Sequence, residues 1–216
     1  MRALVTGGAG FIGTNLIKRL LNDGHRVDSY DNYSTGFKEN EQIGCQYYTM
    51  DIREPFTTSQ KFDVIFHMAA LPRIKPSFLN PKDVINVNVI GTTNILEYAR
   101  KNDIPVIYAG SSSFHGGVYK NPYTFTKWQG EEVCKMYSNI FGVPTSICRF
   151  YNVYGDHMIN EGAYRTVLSI FKDPSWTYID SIPGEVKDTL CESKLATELL
   201  GWNPNINLME WIGEQI

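Results

Sequence analysis

The chain has 216 residues, 43% of them hydrophobic, and a formal net charge of −3, enough for one core-bearing domain with a small appendage. Lysines and arginines are dispersed among the acids, so no basic field gathers phosphate backbones and nucleic acid is not an expected partner. No apolar run reaches the ~20 residues of a membrane span, and the amino terminus enters a strand without a charged leader, so a cytoplasmic protein with no membrane partner is expected. Cys45, Cys134, Cys148 and Cys191 are widely spaced with no CxxC pairing. Buried free thiols are expected, with neither disulfide nor metal site.

In chain order, short β-branched runs alternate with helical patterns. "RALVTG" reads as a strand, "FIGTNLIKRLLND" as a helix, "HRVDSYDN", "CQYYTMDI" and "FDVIFHMAA" as strands. A helical stretch follows over 83–101, then the strand "IPVIYAGSSS", a helix over 122–141 and the strand "PTSICRFYN". Strand followed by helix, repeated, predicts an α/β fold with a parallel sheet covered on both faces. In the first helix Ile12, Leu16, Ile17, Leu20 and Leu21 form a core-facing stripe, and Gly24 suits its carboxyl end. The alternation weakens after about residue 156. Residues 1–155 therefore read as one domain and 156–216 as a smaller lobe, closed by a helix-like element around "ESKLATELLGW".

The turn after the first strand, "GGAGFIG", places Gly7, Gly10 and Gly13 three apart. A tight strand-to-helix turn needs one glycine, a pyrophosphate pressed against backbone the next, and close helix-to-sheet packing the third. Asp31 lies 18 residues beyond Gly13 at the end of the second strand, where a carboxylate accepts hydrogen bonds from an adenosine ribose and repels a 2′-phosphate. That selects NAD over NADP, with Asp28 as the competing ligand in a shifted register.

Tyr123 and Lys127 are four apart in a segment that begins with Pro122, a good first-turn residue, so their side chains share one helical face. An ammonium beside a phenol is expected to lower the phenol pKa toward neutrality, making Tyr123 an acid and base for a carbinol proton. A YxxxK pair alone means little in a chain with 13 tyrosines. Here Ser111, Ser112 and Ser113 stand at the carboxyl end of the preceding strand, where open α/β sheets bind ligands.

Together "TGGAGFIG", Asp31, "FHMAA", "NVIGTTNILE", the serine-rich strand end, YxxxK and "RFYNVYG" resemble the extended short-chain dehydrogenase/reductases, in the branch of NAD-dependent nucleotide-sugar epimerases and dehydratases, closest to UDP-glucose 4-epimerase-like proteins. The resemblance runs through residues 1–170 and resumes near 182–212. It implies a Rossmann-type doubly wound parallel sheet with a small C-terminal substrate lobe that reads as truncated. It also implies NAD as cofactor, a UDP-linked nucleotide sugar as substrate, and a homodimer paired through the helices at 83–101 and 122–141, where Val84, Val87 and Ile95 either offer apolar surface for the pairing or pack into the core of one protomer. Residue by residue, Gly7, Gly10, Gly13, Phe11 and Ile12 would meet the pyrophosphate, Asp31 and Asn32 the ribose, and Asp51 and Ile52 the adenine. Ala69, Ala70 and Leu71 would line the cofactor cleft beside Asn88. Ser111 would be the catalytic hydroxyl with Tyr123 and Lys127, the last two also touching the cofactor, while Ser112 and Ser113 would face the substrate. Tyr151 would lie near the nicotinamide and Asn152 near the substrate diphosphate. His67 and His115 carry no role, one buried or surface histidine each.

The scaffold hosts several reactions. Family dehydratases and decarboxylases carry an acidic residue just after the catalytic Ser or Thr; here Ser112 and Ser113 stand there, which favours C4 epimerisation of a UDP-hexose. The rivals are a non-catalytic NAD-binding module and a dehydratase or reductase of the same family. Two departures stand out. Only 12 residues separate Ser111 from Tyr123, shorter than the usual substrate loop. Near "SIFKDPSWTYID" a long stretch of the family's substrate lobe is missing, and Ile182 replaces the arginine of its RPGE motif. A longer chain of which this is the ordered part, a truncated gene and a natural minimal variant all account for this, and the family-like flanks favour the first.

Overall fold

The computed structural model describes residues 1–171, 175, 177, 184, 185, 190, 191 and 193–214. Six strands form one parallel sheet: β1 (Arg2–Thr6), β2 (Arg26–Asp31), β3 (Cys45–Thr49), β4 (Val64–His67), β5 (Val106–Ser111) and β6 (Thr145–Phe150), in the order β3-β2-β1-β4-β5-β6. All six predicted strands are present. The chain runs outward from β1 to β3, then returns to place β4 on the other side of β1. That reversal opens a crevice at the carboxyl ends of β1 and β4, where doubly wound sheets bind ligands.

Period-two alternation splits the core between the two faces. Ala3, Val5, Val27 and Val64 pack with Ile17 and Leu20 of α1 (Phe11–Asn22). On the other face Leu4, Ile65, Val106 and Tyr108 meet Ile95, Leu96 and Ala99 of the helix Thr92–Asn102 and Cys134 and Tyr137 of the helix Pro122–Phe141. α1 ends where Gly24 takes φ +78°, a left-handed turn that glycine enters at little cost.

Between β4 and β5 run α2 (Ile74–Leu79), α3 (Pro81–Ile85), a π-helical turn (Asn86–Gly91) and α4 (Thr92–Asn102). α5 spans Pro122–Phe141, as the sequence predicts. Asn121 caps it, its Oδ1 accepting from the Thr124 N–H at 2.7 Å. Past the sheet come α6 (Val167–Phe171), α7 (Lys194–Leu200) and α8 (Leu208–Gly213). α8 is an element that sequence patterning misses. No helix among the described residues is long and apolar enough to cross a membrane.

Two expectations are corrected. Val84 and Ile95 are 3% and 0% exposed and Val87 packs against the core, so they offer no free surface. The exposed apolar residues on these helices are Ile85, Ile90, Met136, Ile140 and Phe141. Of the four free thiols only Cys134 is fully buried, and Cys148 and Cys191 are exposed, because alternate positions of β6 and the tail face outward.

His67 is buried and its hydrogen bonds define its tautomer. The Thr92 hydroxyl donates to the Asn88 carbonyl at 2.8 Å, so it accepts from His67 Nε2 at 3.0 Å. Nδ1 then accepts from the Thr6 hydroxyl at 2.7 Å. Burial, with the Lys127 charge a lesser cause, pushes the imidazole pKa down to about 3. An unfolded histidine titrates near 6.5, so the unfolded state binds the proton first, and stability present above that pH is lost as pH falls toward 3. The urea midpoint of the wild type should therefore drop further between pH 7 and pH 4.5 than that of His67→Gln. Equal drops would remove His67 as the cause.

Candidate active site

A cavity of ≈ 780 Å³ opens at the crevice between β1 and β4. Of the site residues named from sequence, all but Asn88 line it, from Asp51 and Ile52 at one end to Tyr123, Tyr151 and Asn152 at the other. Asn88 is 1% exposed and stands behind the wall. Its Oδ1 accepts from the Leu71 N–H at 2.8 Å, and its Nδ2 donates to the Leu71 carbonyl at 3.2 Å and to Thr126 Oγ1 at 3.1 Å. The residue fixes the shape of the loop after β4, because the π-helical turn carries its side chain toward that loop and α5.

The glycine turn divides its tasks as the spacing predicts. Gly7 has φ +71°, the left-handed conformation of a tight turn. A Cβ at Gly13 would stand 2.1 Å from the Gly7 carbonyl oxygen, so this glycine sets the contact between α1 and β1. A Cβ at Gly10 would meet only that same oxygen, at 3.3 Å, and otherwise fill the cavity. α1 begins there with no side-chain cap and no acid in its first turn, leaving backbone N–H groups for an anion.

At the end of β2, Asp31 Oδ2 accepts from the Ala9 N–H at 2.9 Å and Oδ1 from the Tyr33 N–H at 2.8 Å. Burial raises its pKa, opposed by those two bonds. Asp28 is removed as the alternative: it lies mid-strand, paired with Arg2 at 2.7 Å, and does not line the cavity. Asp51 receives Arg53 through Nη2 at 2.7 Å and Asn32 through Nδ2 at 2.9 Å. The Arg53 bonds hold its carboxyl at about 2, so it is an anion at neutral pH.

The chemical end is built where β5 meets α5. Tyr123 Oη donates to Ser111 Oγ at 3.3 Å, and Ser111 Oγ lies 2.8 Å from Ser113 Oγ. The Tyr123 pKa is raised by burial, against lowering by the Ser111 hydrogen bond and the Arg73 charge. The expected lowering by Lys127 is absent: the Lys127 ammonium sits 4.2 Å from the centre of the Tyr108 ring, and is not among the groups that act on the phenol. Burial takes Lys127 down to about 8. Its Nζ has no hydrogen-bond partner among the described residues and lines the cavity, a donor set that a polar ligand must satisfy. Glu131 and Arg149 form a bidentate pair behind it, with Nη2 to Oε2 at 2.7 Å.

Sequence reasoning passed over Arg73, which lines the cavity with φ +80°, and Tyr164 to Thr166, which close its far side. Neither has a local sequence signal: Arg73 depends on its own backbone conformation, and Tyr164 to Thr166 on how a late loop folds back. Gly184 accepts from Asn121 Nδ2 at 3.0 Å and Glu185 lines the cavity. Ile182, at the RPGE position, lies outside the described residues. His115 is exposed, its ring stacked 6.2 Å from that of Tyr151.

A parallel sheet of this order, a glycine turn that keeps a backbone cradle open, an acid at the end of β2 and a Ser-Tyr-Lys constellation define a dinucleotide-binding protein of the short-chain dehydrogenase/reductase kind. Residues 3–172 match the model of the NAD dependent epimerase/dehydratase family, and the chain belongs to that family. NAD is its cofactor. A Methanocaldococcus jannaschii protein named "Putative UDP-glucose 4-epimerase" is 35% identical over 190 residues, covering 79% of this chain and 61% of its own length. UDP-glucuronic acid decarboxylase 1 of Danio rerio is 31% identical over 185 residues, 74% of this chain and 44% of its own. The crystal structure of UDP-glucose 4-epimerase from Thermotoga maritima with UDP-glucose superposes with a TM-score of 0.74 at 26% identity, covering 79% of this chain and 62% of that one. The chain thus spans less than two thirds of the length of these relatives.

Proposed function

We propose that the chain is the cofactor-binding and catalytic part of a nucleotide-sugar epimerase, inverting C4 of a UDP-hexose through a transient 4-keto sugar. The observation that carries this reading is Tyr123 Oη on Ser111 Oγ at 3.3 Å, at the carboxyl end of β5 in the same cavity as the glycine turn and Asp31. The residues present fit NAD: the open cradle at Gly10, the uncapped start of α1 and the Lys127 ammonium, which has no hydrogen-bond partner among the described residues, are the features a dinucleotide would occupy. Backbone N–H groups at Phe11 and Ile12 would hold its pyrophosphate, Asp31 and Asn32 its ribose, Asp51 and Ile52 its adenine, and Ala69 to Leu71, Tyr151 and Lys127 its nicotinamide half. When bound it supplies a hydride acceptor and donor at the reacting carbon.

Ser111 Oγ would position the C4 hydroxyl, and Tyr123 Oη would take its proton and return it after the sugar has turned over. Ser113 holds Ser111, and Asn152 would meet the diphosphate. No carboxylate stands at positions 112 and 113 to drive an elimination, which supports epimerisation over dehydration. In this reading residues 1–155 are the cofactor domain and 156–216 part of the substrate lobe. The homodimer would pair through the exposed Ile90, Met136 and Ile140.

The test is to incubate the purified chain with NAD and UDP-glucose and follow the sugar by proton NMR. Interconversion with UDP-galactose and no build-up of NADH is expected. Loss of water from the sugar would mean a dehydratase, and NAD binding without turnover of any nucleotide sugar would mean a binding module.

A further inference from the structure

Arg73 lines the cavity, and the reaction above gives it no contact with cofactor or substrate. Its backbone, φ +80° with ψ 140°, lies in a region that is essentially glycine's and that a long side chain occupies only at a cost. Its Nε donates to the Tyr164 carbonyl at 3.3 Å, anchoring the guanidinium to the far side of the cavity. Both Nη groups are without a hydrogen-bond partner among the described residues. Among the described residues no carboxylate is paired with it. Burial lowers its pKa, with the Tyr123 phenol a lesser, opposing cause. A partly buried guanidinium with its fork unfilled, on the wall of a substrate cavity, is a site for a planar anion bound through two parallel hydrogen bonds.

Resting on the nucleotide-sugar reading, we propose that Arg73 is a specificity residue that binds a carboxylate on the sugar ring, so that the preferred substrate is a nucleotide-linked hexuronic acid and not a neutral hexose. Two anions on such a substrate could meet a guanidinium: the diphosphate at C1 and a carboxylate at C6. Tyr123 works at C4, and C6 hangs from the neighbouring carbon, whereas C1 lies across the ring. Arg73 immediately precedes α2, α2 packs on α5, whose first turn carries Tyr123, and both side chains line the same cavity, so the guanidinium is placed for C6. The decarboxylase relative named for UDP-glucuronic acid agrees with a uronate in this kind of cavity, while the serines at 112 and 113 leave the fate of that carboxylate unchanged in the epimerase reading.

The experiment compares the wild type, Arg73→Gly and Arg73→Lys, each saturated with NAD, by calorimetric titration with UDP-glucuronate, UDP-glucose and UDP, and by turnover of both sugars. Glycine is at home at this backbone, so Arg73→Gly is expected to melt no lower than the wild type, and a lost preference then reflects the side chain. The wild type is expected to bind UDP-glucuronate on the order of tenfold more tightly than UDP-glucose, the scale of a hydrogen bond to a charged group. Arg73→Gly should erase that ratio with UDP unchanged, and Arg73→Lys should keep part of it. Equal binding of the two sugars by the wild type would overturn the proposal even with turnover intact. So would a loss of UDP affinity as large as that of UDP-glucuronate, which would assign the guanidinium to the diphosphate. A preference that follows Arg73 in a protein that turns over neither sugar would uphold the carboxylate site and reject the epimerase.

Discussion

Tyr123→Phe should lower kcat by roughly 10³, within the range of a lost general acid and base, and leave NAD affinity at the wild-type value. The variant removes one oxygen and nothing that supports the fold. Tyr123 Oη makes a single described hydrogen bond, to Ser111, and Ser111 keeps Ser113 at 2.8 Å when it is gone. The effect belongs in kcat because the hydroxyl acts when the proton moves, not when the sugar docks. The phenol is a reluctant acid in this cavity, since burial raises its pKa. Proton loss therefore draws on the Ser111 bond and the Arg73 charge. Turnover within tenfold of wild type would sink the assignment, and stopped turnover with lost NAD binding would point to damage beyond the hydroxyl.

Gly13→Ala and Gly10→Ala should fail in opposite ways, although each adds one methyl to the same turn. At Gly13 the methyl would lie 2.1 Å from the Gly7 carbonyl oxygen and 2.7 Å from Gly8 Cα, both backbone atoms that cannot swing aside. α1 must move off β1, and a destabilisation of about 2–3 kcal/mol is expected, visible as a lower melting temperature without NAD. At Gly10 the methyl meets one atom, at 3.3 Å, so the fold should hold while NAD affinity falls because the cradle is filled. Thermal melts of the unliganded variants beside NAD titrations separate the two. Matching losses of stability would remove the division of roles.

Much of this was readable from sequence because periodicity and turn chemistry are local. The six strands follow from β-branched runs between turn residues, and α5 from Pro122 at its start and Gly142, with φ +72°, at its end. The cavity residues were legible as a set, since the glycine turn, Asp31 and the Ser-Tyr-Lys group each sit at the carboxyl end of a strand that topology brings together. What failed depends on three-dimensional context. Helical periodicity alone does not say which face meets the sheet, so Val84 and Ile95 were expected outside, and it does not reveal the π-turn that takes Asn88 off the cavity surface. Spacing put Lys127 one helical turn from Tyr123 but could not weigh burial against charge, and so gave the phenol pKa the wrong direction. Arg73 depends on a backbone conformation that nothing in "LPRIKP" announces.

The π-helical turn at Asn86–Gly91 works as a keyed coupling between two shafts. A regular helix advances ~100° per residue, and a π-turn accommodates one residue more than the regular winding, so everything beyond it is rotated relative to what precedes it. Val84 before the turn and Ile95, Leu96 and Ala99 after it all reach the interior. The Asn88 amide sits in that coupling and grips Leu71 and Thr126. The position of this helix is thereby tied to the cofactor loop on one side and to the helix of Tyr123 on the other, so that a one-residue insertion or deletion here would be registered at the active site.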